Sequence, residues 1–190
     1  MSRDPTFISA LKQLSRERQS IGDVFTKFDY IKKTEDRPAA IIAATDLEDG
    51  LRDLLAAQMV ALNKTETDEM FTGERLLGSF SAKTQMAYAL GLIGKNTRRD
   101  LDIIRLIRNA FAHSRKVIFF DTPEISDACA QITLPERFPD PSRWEGVDQP
   151  MNTPRRRFLG TISLYTIAII EAQFPHFADQ ENPLSGIPLD

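Results

Sequence analysis

Apolar residues recur every three or four positions along most of the chain, which is the spacing of amphipathic helices. Pro5 precedes a first stretch with this spacing, over residues 7–14, and proline is favoured in the first turn of a helix. Ser20 can cap a second helix, whose apolar face runs over residues 21–28. The pattern therefore predicts helices from near the first residue onwards.

The longest helical pattern follows Asp36 and carries an alanine and leucine stripe over residues 40–55. Gly50 lies inside this pattern and weakens a helix by about 1 kcal/mol relative to alanine. We therefore expect another helix to pack closely at Gly50. The next stretch, residues 63–79, is polar and contains two glycines, so it predicts a loop with a short helical turn.

Two further helices are predicted in the centre of the chain. The first covers residues 81–93, with Gly94 as a left-handed stop. Asn96 or Thr97 then caps the second, over residues 98–113. Because this second helix is apolar nearly all round, we expect it to be the buried central helix.

The last third of the chain is less regular. Residues 117–120 are apolar and suggest a short extended piece, and Pro123 starts a small helix. Five prolines make residues 134–154 a long irregular connection. A last helix is predicted over residues 154–174, and the tail from 182 to 190 is expected to be loose.

Composition places the chain among ordinary globular proteins, with 190 residues, 42% hydrophobic and 27% charged. The single cysteine, Cys129, excludes an internal disulfide. The longest apolar run, residues 158–170, is too short to span a membrane, and the first residues lack the apolar core of a secretory signal. The sequence predicts an all-α helical bundle forming one domain over residues 1–190, soluble and cytoplasmic, with no membrane partner.

The net charge of −3 gives no chain-wide attraction to nucleic acid. Basic residues do cluster twice, and we interpret both clusters as solvated surface: Arg98, Arg99, Arg105, Arg108, Arg115 and Lys116, then Arg155, Arg156 and Arg157. With two histidines and one cysteine, no spacing matches a metal site, so we expect neither metal nor cofactor. Cys129 lies among apolar residues and is predicted to be an inert buried thiol.

One group of polar residues is the best candidate for a functional site. Arg105, Asn109 and His113 follow each other at intervals of four residues, and Arg108 lies beside this polar stripe. Arginine binds phosphate and histidine moves a proton near neutral pH, and together they suffice for metal-independent RNA cleavage. On an ideal helix Arg108 and His113 point about 140° apart, so such a site needs a helix end, a bend or two protomers. The alternative is that these residues only bridge neighbouring helices.

Arg108-Asn109-x-x-x-His113 resembles the motif of the HEPN superfamily. The resemblance implies a helical bundle that often dimerises, and some members are RNases or toxins while others are non-catalytic. An acidic residue three positions before a basic one on a neighbouring helix sometimes accompanies that motif, and the segment from Glu48 to Arg52, in which Asp49 lies three positions before Arg52, contains such a pair. An ordinary surface ion pair between these two residues is the alternative.

A second resemblance covers more of the chain. Residues 78–83, 87–93 and 105–113 are similar to the mannitol operon repressor family, and the family-like core spans about residues 36–125. This resemblance implies an all-α protein linked to repression of a sugar-alcohol operon. As in that family, the chain has no evident DNA-reading helix, so it would act through a protein partner or through nucleic acid.

Three functional hypotheses follow. The leading one is a transcriptional regulator of the mannitol operon repressor type, on a HEPN-like bundle and dimeric. The second is a metal-independent ribonuclease in which Arg108 and His113 are catalytic, Asn109 orients them and Arg105 binds phosphate. The third is a non-catalytic dimeric interaction module with the polar stripe satisfied internally.

Overall fold

The computed structural model describes residues 21–137 and 151–173, and the regular structure in these two ranges is helical throughout, without a strand. The helices are α1 (Ile21–Lys32), α2 (Asp36–Ala57), α3 (Lys64–Phe71), α4 (Phe80–Ala89), α5 (Lys95–His113), α6 (Pro123–Ala130), α7 (Leu134–Arg137) and α8 (Pro154–Gln173). This architecture confirms the predicted all-α bundle. The helix expected over residues 7–14 and the tail 182–190 lie outside the described residues.

Helices α2 and α8 form the most extensive contact of the bundle. The stripe of α2 is fully buried and includes Ala40, Leu47 and Leu51. A methyl group at Gly50 would lie 3.4 Å from Ile169 of α8, at the edge of ordinary contact. The glycine therefore marks close helix packing, as its position in the sequence predicted.

The central helix of the bundle is α8, which corrects the prediction that residues 98–113 form it. Helix α8 is buried on nearly all sides from Phe158 to Ile169. Helix α5 is amphipathic instead: Leu101 and Ile104 are fully buried, but Leu106 is 57% exposed. Counting apolar residues overestimated the burial of α5, because one of its apolar faces has no described helix against it.

The junction between α4 and α5 also differs from the prediction. Helix α4 ends at Ala89, and Gly91 rather than Gly94 has the left-handed backbone, with φ of 70°. The amide of Leu92 donates to the carbonyl of Ala87 at 2.9 Å, as in a Schellman motif. Gly94 is the N-cap of α5, so neither Asn96 nor Thr97 caps that helix.

The segment predicted as a loop with a short helical turn, residues 63–79, contains a regular helix of eight residues, α3. Asn63 accepts a hydrogen bond from the amide of Glu66, and the Glu66 carboxylate accepts one from the amide of Asn63. This capping box starts the helix and is visible in the sequence as Asn-x-x-Glu. Its polar exposed face hid it from a search based on apolar spacing.

The predicted irregular connection 134–154 begins with the helical turn α7, which a buried carboxylate holds in place. Asp100 of α5 is fully buried and accepts hydrogen bonds from the amides of Thr133, at 2.8 Å, and Leu134, at 2.9 Å. The Tyr165 hydroxyl of α8 donates to the same carboxylate at 2.7 Å, and Arg137 donates to Tyr165 at 2.7 Å. Asp100 thus joins α5, α7 and α8.

The apolar segment 117–120 has no regular structure, and it anchors the chain through one aromatic ring. Phe120 is buried with its ring centroid 4.9 Å from that of Phe111 and 5.3 Å from that of Phe158. Val117 and Phe119 remain exposed. Among the helices of residues 21–137 and 151–173, none combines the length and apolar character that a membrane span requires.

Candidate functional site

Helix α5 carries the predicted polar residues. Arg37 caps the C-terminal end of this helix, where His113 lies. The Arg37 guanidinium donates to the carbonyls of Phe111, at 2.6 Å, and Ser114, at 2.7 Å. These carbonyls belong to the end of the helix, where a cation is favourable because of the partial negative charge. Arg37 lies 74 positions before Phe111, so no local pattern could have predicted this contact.

Arg108 faces the interior of the bundle and binds Glu48. Its Nη2 donates to Glu48 Oε2 at 3.0 Å, and the other carboxylate oxygen accepts from Lys83 Nζ at 2.8 Å. Lys83 is 4% exposed and also donates to the carbonyl of Gly78 at 3.2 Å. One carboxylate of α2 therefore links α4 to α5 through two cations.

This cluster of Glu48, Lys83 and Arg108 is incomplete in one respect. The Nε atom of Arg108 is buried and has no hydrogen-bond partner, although the side chain as a whole is 23% exposed. The cluster also has two cations for one carboxylate, and the second cation, Arg108, is partly exposed. Glu48 therefore holds Arg108 in place, but not all hydrogen-bond donors of the Arg108 guanidinium have an acceptor.

The other three residues of the predicted stripe lie on the outer side of α5. Arg105 is half-buried and lies 3.6 Å from Asp102, and its Nε has no hydrogen-bond partner. Asn109 is half-buried and His113 is exposed. Neither the Asn109 nor the His113 side chain hydrogen-bonds to any part of the chain that the structure describes.

The geometry separates Arg108 from His113. Helix α5 stays regular up to His113, so these two residues keep the divergent directions of an ideal helix, about 140° apart. Within one chain, Arg108 points to Glu48 while His113 points to solvent. The structure thus brings Glu48 to Arg108 but does not bring Arg108 and His113 together.

Glu48 and Arg52 do not form the ion pair that their spacing allows. Arg52 binds two neighbours on its own helix, Asp49 at 3.3 Å and Asp53 at 3.1 Å. Glu48 instead turns towards α4 and α5. Of this predicted pair only Glu48 reaches the candidate site, and Lys83, which the sequence analysis did not select, occupies the position of its second cation.

The three consecutive arginines at the start of α8 are mostly structural, which corrects their interpretation as solvated surface. Arg155 binds the Asp36 carboxylate and the Thr34 carbonyl, and so fixes the turn between α1 and α2. Arg157 binds Glu136 at 2.5 Å and the Ile132 carbonyl. Only Arg156 is exposed.

Cys129 is a buried thiol, as predicted. Cys129 is fully buried, and desolvation raises the pKa of its thiol to about 12, which keeps it protonated and unreactive. Within the described ranges, no three histidine, cysteine or carboxylate side chains come together as ligands for a metal ion.

No family model matches the chain, and neither does any curated protein. A solved structure does match: a chain of the "X-ray structure of the MtlR-HPr complex from Escherichia coli" superposes with a TM-score of 0.53 at 16% sequence identity. The match covers 87% of this chain and 98% of that chain. The chain therefore has an MtlR-like fold.

Proposed function

We propose that this chain is a regulatory protein of the mannitol operon repressor type that acts by binding a protein partner. The observation that carries the proposal is the MtlR-like fold, which extends over 98% of a chain from a complex between MtlR and HPr. Residues 78–113, which resemble the mannitol operon repressor family, form α4 and α5 and contain Lys83 and Arg108. In this proposal the resembling residues hold the bundle in shape through Glu48.

Deletion of the gene tests the regulatory role. We expect transcripts of a sugar-alcohol operon in the same genome to rise in the deletion strain, and expression of the wild-type gene from a plasmid to restore repression. A strain with Arg75→Ala in an exposed loop provides a control with the fold intact. If transcripts of all sugar-alcohol operons stayed unchanged, the regulatory proposal would be wrong.

The ribonuclease hypothesis keeps one supporting observation, the exposed imidazole of His113 at the end of α5. Its weakness is Arg108, which is bound to Glu48 and directed away from His113. The site would need a second protomer to bring an arginine to His113, so this hypothesis depends on the predicted dimer. Purified chain should then cut single-stranded RNA without metal, and His113→Ala should abolish the cleavage. Equal cleavage by both proteins would exclude it.

The homodimer is a proposal in its own right. The HEPN resemblance motivates it, and it is shared by the regulatory, ribonuclease and interaction-module hypotheses. Light scattering of the purified chain should give twice the mass of one chain at micromolar concentration. A mass equal to one chain would exclude a stable dimer and, with it, an active site shared between protomers.

A further inference from the structure

Large apolar side chains remain exposed along and just after α5. Leu106 is 57% exposed, Val117 80% and Phe119 53%. Single exposed apolar residues are ordinary in soluble proteins, but several together with a polar rim mark an interaction surface.

Leu106 belongs to one uninterrupted face of α5, and Val117 and Phe119 follow the end of that helix along the chain. At about 100° per residue, Arg99, Ile103, Leu106, Ala110 and His113 fall within a sector of about 80°. All five are exposed or half-buried, whereas the core residues of α5 lie on its other side. We call this face, together with residues 115–119, the α5 surface.

The α5 surface is positively charged on a chain whose net charge is −3. Arg99, Arg115 and Lys116 are exposed, and none of them pairs with a carboxylate among the described residues. Helix α5 itself has two carboxylates: Asp100 is buried, and Asp102 lies 3.6 Å from Arg105. The surface therefore complements a partner with acidic side chains.

The apolar side chains of the α5 surface indicate whether its partner is a protein or a nucleic acid. Phe119 can either stack on a base or pack in a protein interface, but Leu106 and Val117 are aliphatic. Aliphatic side chains neither stack on bases nor bind phosphates, and they gain from burial only against another apolar surface. A protein interface with an apolar centre and a charged rim satisfies both features. We propose that the α5 surface docks a protein that presents acidic side chains around an apolar patch.

This proposal rests on the proposed function only in that the chain acts through a protein. Two valines with the same exposure, Val117 and Val60 at 80% each, give a matched test. The full chain carries a photo-crosslinking residue at position 117 or, as the control, at position 60, and is irradiated in its host cell. We expect one protein with an acidic surface to be captured from position 117 and not from position 60.

The captured protein is then purified and its binding to the full chain is measured. We expect Val117→Asp, and separately Arg115→Glu with Lys116→Glu, to raise Kd at least about tenfold. Val60→Asp and the exposed Arg75→Glu should stay within about twofold of wild type, and folding of each variant is checked by circular dichroism. Higher salt should weaken binding by the wild type.

Several results would overturn the proposal: no capture, equal capture from both positions, capture of RNA from position 117, or an unchanged Kd for the Val117→Asp variant. These results are independent of the regulatory test. Unchanged operon transcripts together with the expected capture would exclude the regulatory function but support the docking surface. Increased operon transcripts in the deletion strain together with equal capture from both positions would support the regulatory function but exclude the docking surface.

Discussion

Two carboxylates hold α5 in the bundle, and they are satisfied in different ways. Asp100 is fully buried and receives two backbone amides and the Tyr165 hydroxyl. Glu48 is 17% exposed on its side chain and is shared by two cations, Lys83 and Arg108. The first cluster uses mainly neutral donors and is saturated, whereas the second has an excess positive charge and an unpaired Arg108 Nε.

The Asp100 cluster stabilises the bundle, whereas the Glu48 cluster is part of the candidate site. A buried carboxylate whose hydrogen bonds are all made stabilises one arrangement of helices. Removing it leaves several buried donors without an acceptor at once. The Glu48 cluster also joins helices, but it keeps an arginine partly exposed at the side of α5. We therefore expect substitutions in the Asp100 cluster to affect stability most, and substitutions in the Glu48 cluster to affect it less.

The largest effect is expected for Asp100→Ala. The substitution leaves the amides of Thr133 and Leu134 and the hydroxyl of Tyr165 without their acceptor in a buried setting. The free energy of unfolding should fall by about 3–5 kcal/mol, measured by urea unfolding followed by circular dichroism. The exposed Asp127→Ala is the control and should change it by less than about 0.5 kcal/mol. A loss below about 1 kcal/mol for Asp100→Ala would contradict this account.

Glu48→Ala should have the next largest effect, a loss of about 2–3 kcal/mol, because it leaves the buried Lys83 without a counter-charge. The exposed Glu69→Ala is the control. Adding Lys83→Met to Glu48→Ala should cost less than the sum of the single losses, by at least about 1 kcal/mol. Strictly additive losses would show that the two side chains do not interact.

Alkaline pH should weaken the Asp100 cluster. Burial, reinforced by the Asp100 carboxylate, raises the pKa of Tyr165 above its ordinary value. Above about pH 10 the unfolded chain releases a proton that the folded chain keeps, so the free energy of unfolding falls with pH by up to about 1.4 kcal/mol per unit. Below that pH this contribution is fully present.

The variant Tyr165→Phe isolates that contribution. Urea unfolding between about pH 9 and 11 should show a shallower slope for Tyr165→Phe than for wild type. Cys129, whose pKa is raised to about 12, adds to the slope in both proteins. The exposed Glu69→Ala should keep the wild-type slope. Identical slopes in the wild type and Tyr165→Phe would contradict the role assigned to the tyrosine.

The smallest effect is expected at the end of α5. Arg37→Ala removes the donor to the carbonyls of Phe111 and Ser114 and should lower the free energy of unfolding by about 1 kcal/mol. Hydrogen exchange of the Ser114 amide, which donates to Ala110, should accelerate more than exchange in the middle of α5. Arg75→Ala should leave this exchange unchanged. Uniform acceleration along α5 would argue against a local cap.

The sequence predicted the fold correctly where the deciding pattern is local. Apolar spacing predicted α2, α5 and α8, and Gly50 was correctly interpreted as a site of close packing. It failed where polar residues define the helix, as in the capping box of Asn63 and Glu66. It also misplaced the central helix, because apolar content does not reveal which face has a neighbouring helix.

The candidate site shows the same limit more sharply. Arg108 and His113 were selected from their spacing, and the structure places them on one helix with different surroundings. The partners of this helix come from far along the chain: Glu48 is 60 positions from Arg108, and Arg37 is 74 positions from Phe111. Contacts of this range depend on the tertiary fold, so one sequence read locally does not contain them.

Binding of the purified full chain to the HPr protein of its own host cell tests the central claim most directly. The proposed function takes its candidate partner from the complex of MtlR with HPr, and on that proposal isothermal titration calorimetry should show saturable binding with a defined stoichiometry. The variant Asp127→Ala should bind equally well. Absence of binding at protein concentrations up to about 1 mM, where even weak specific complexes form, would contradict the account.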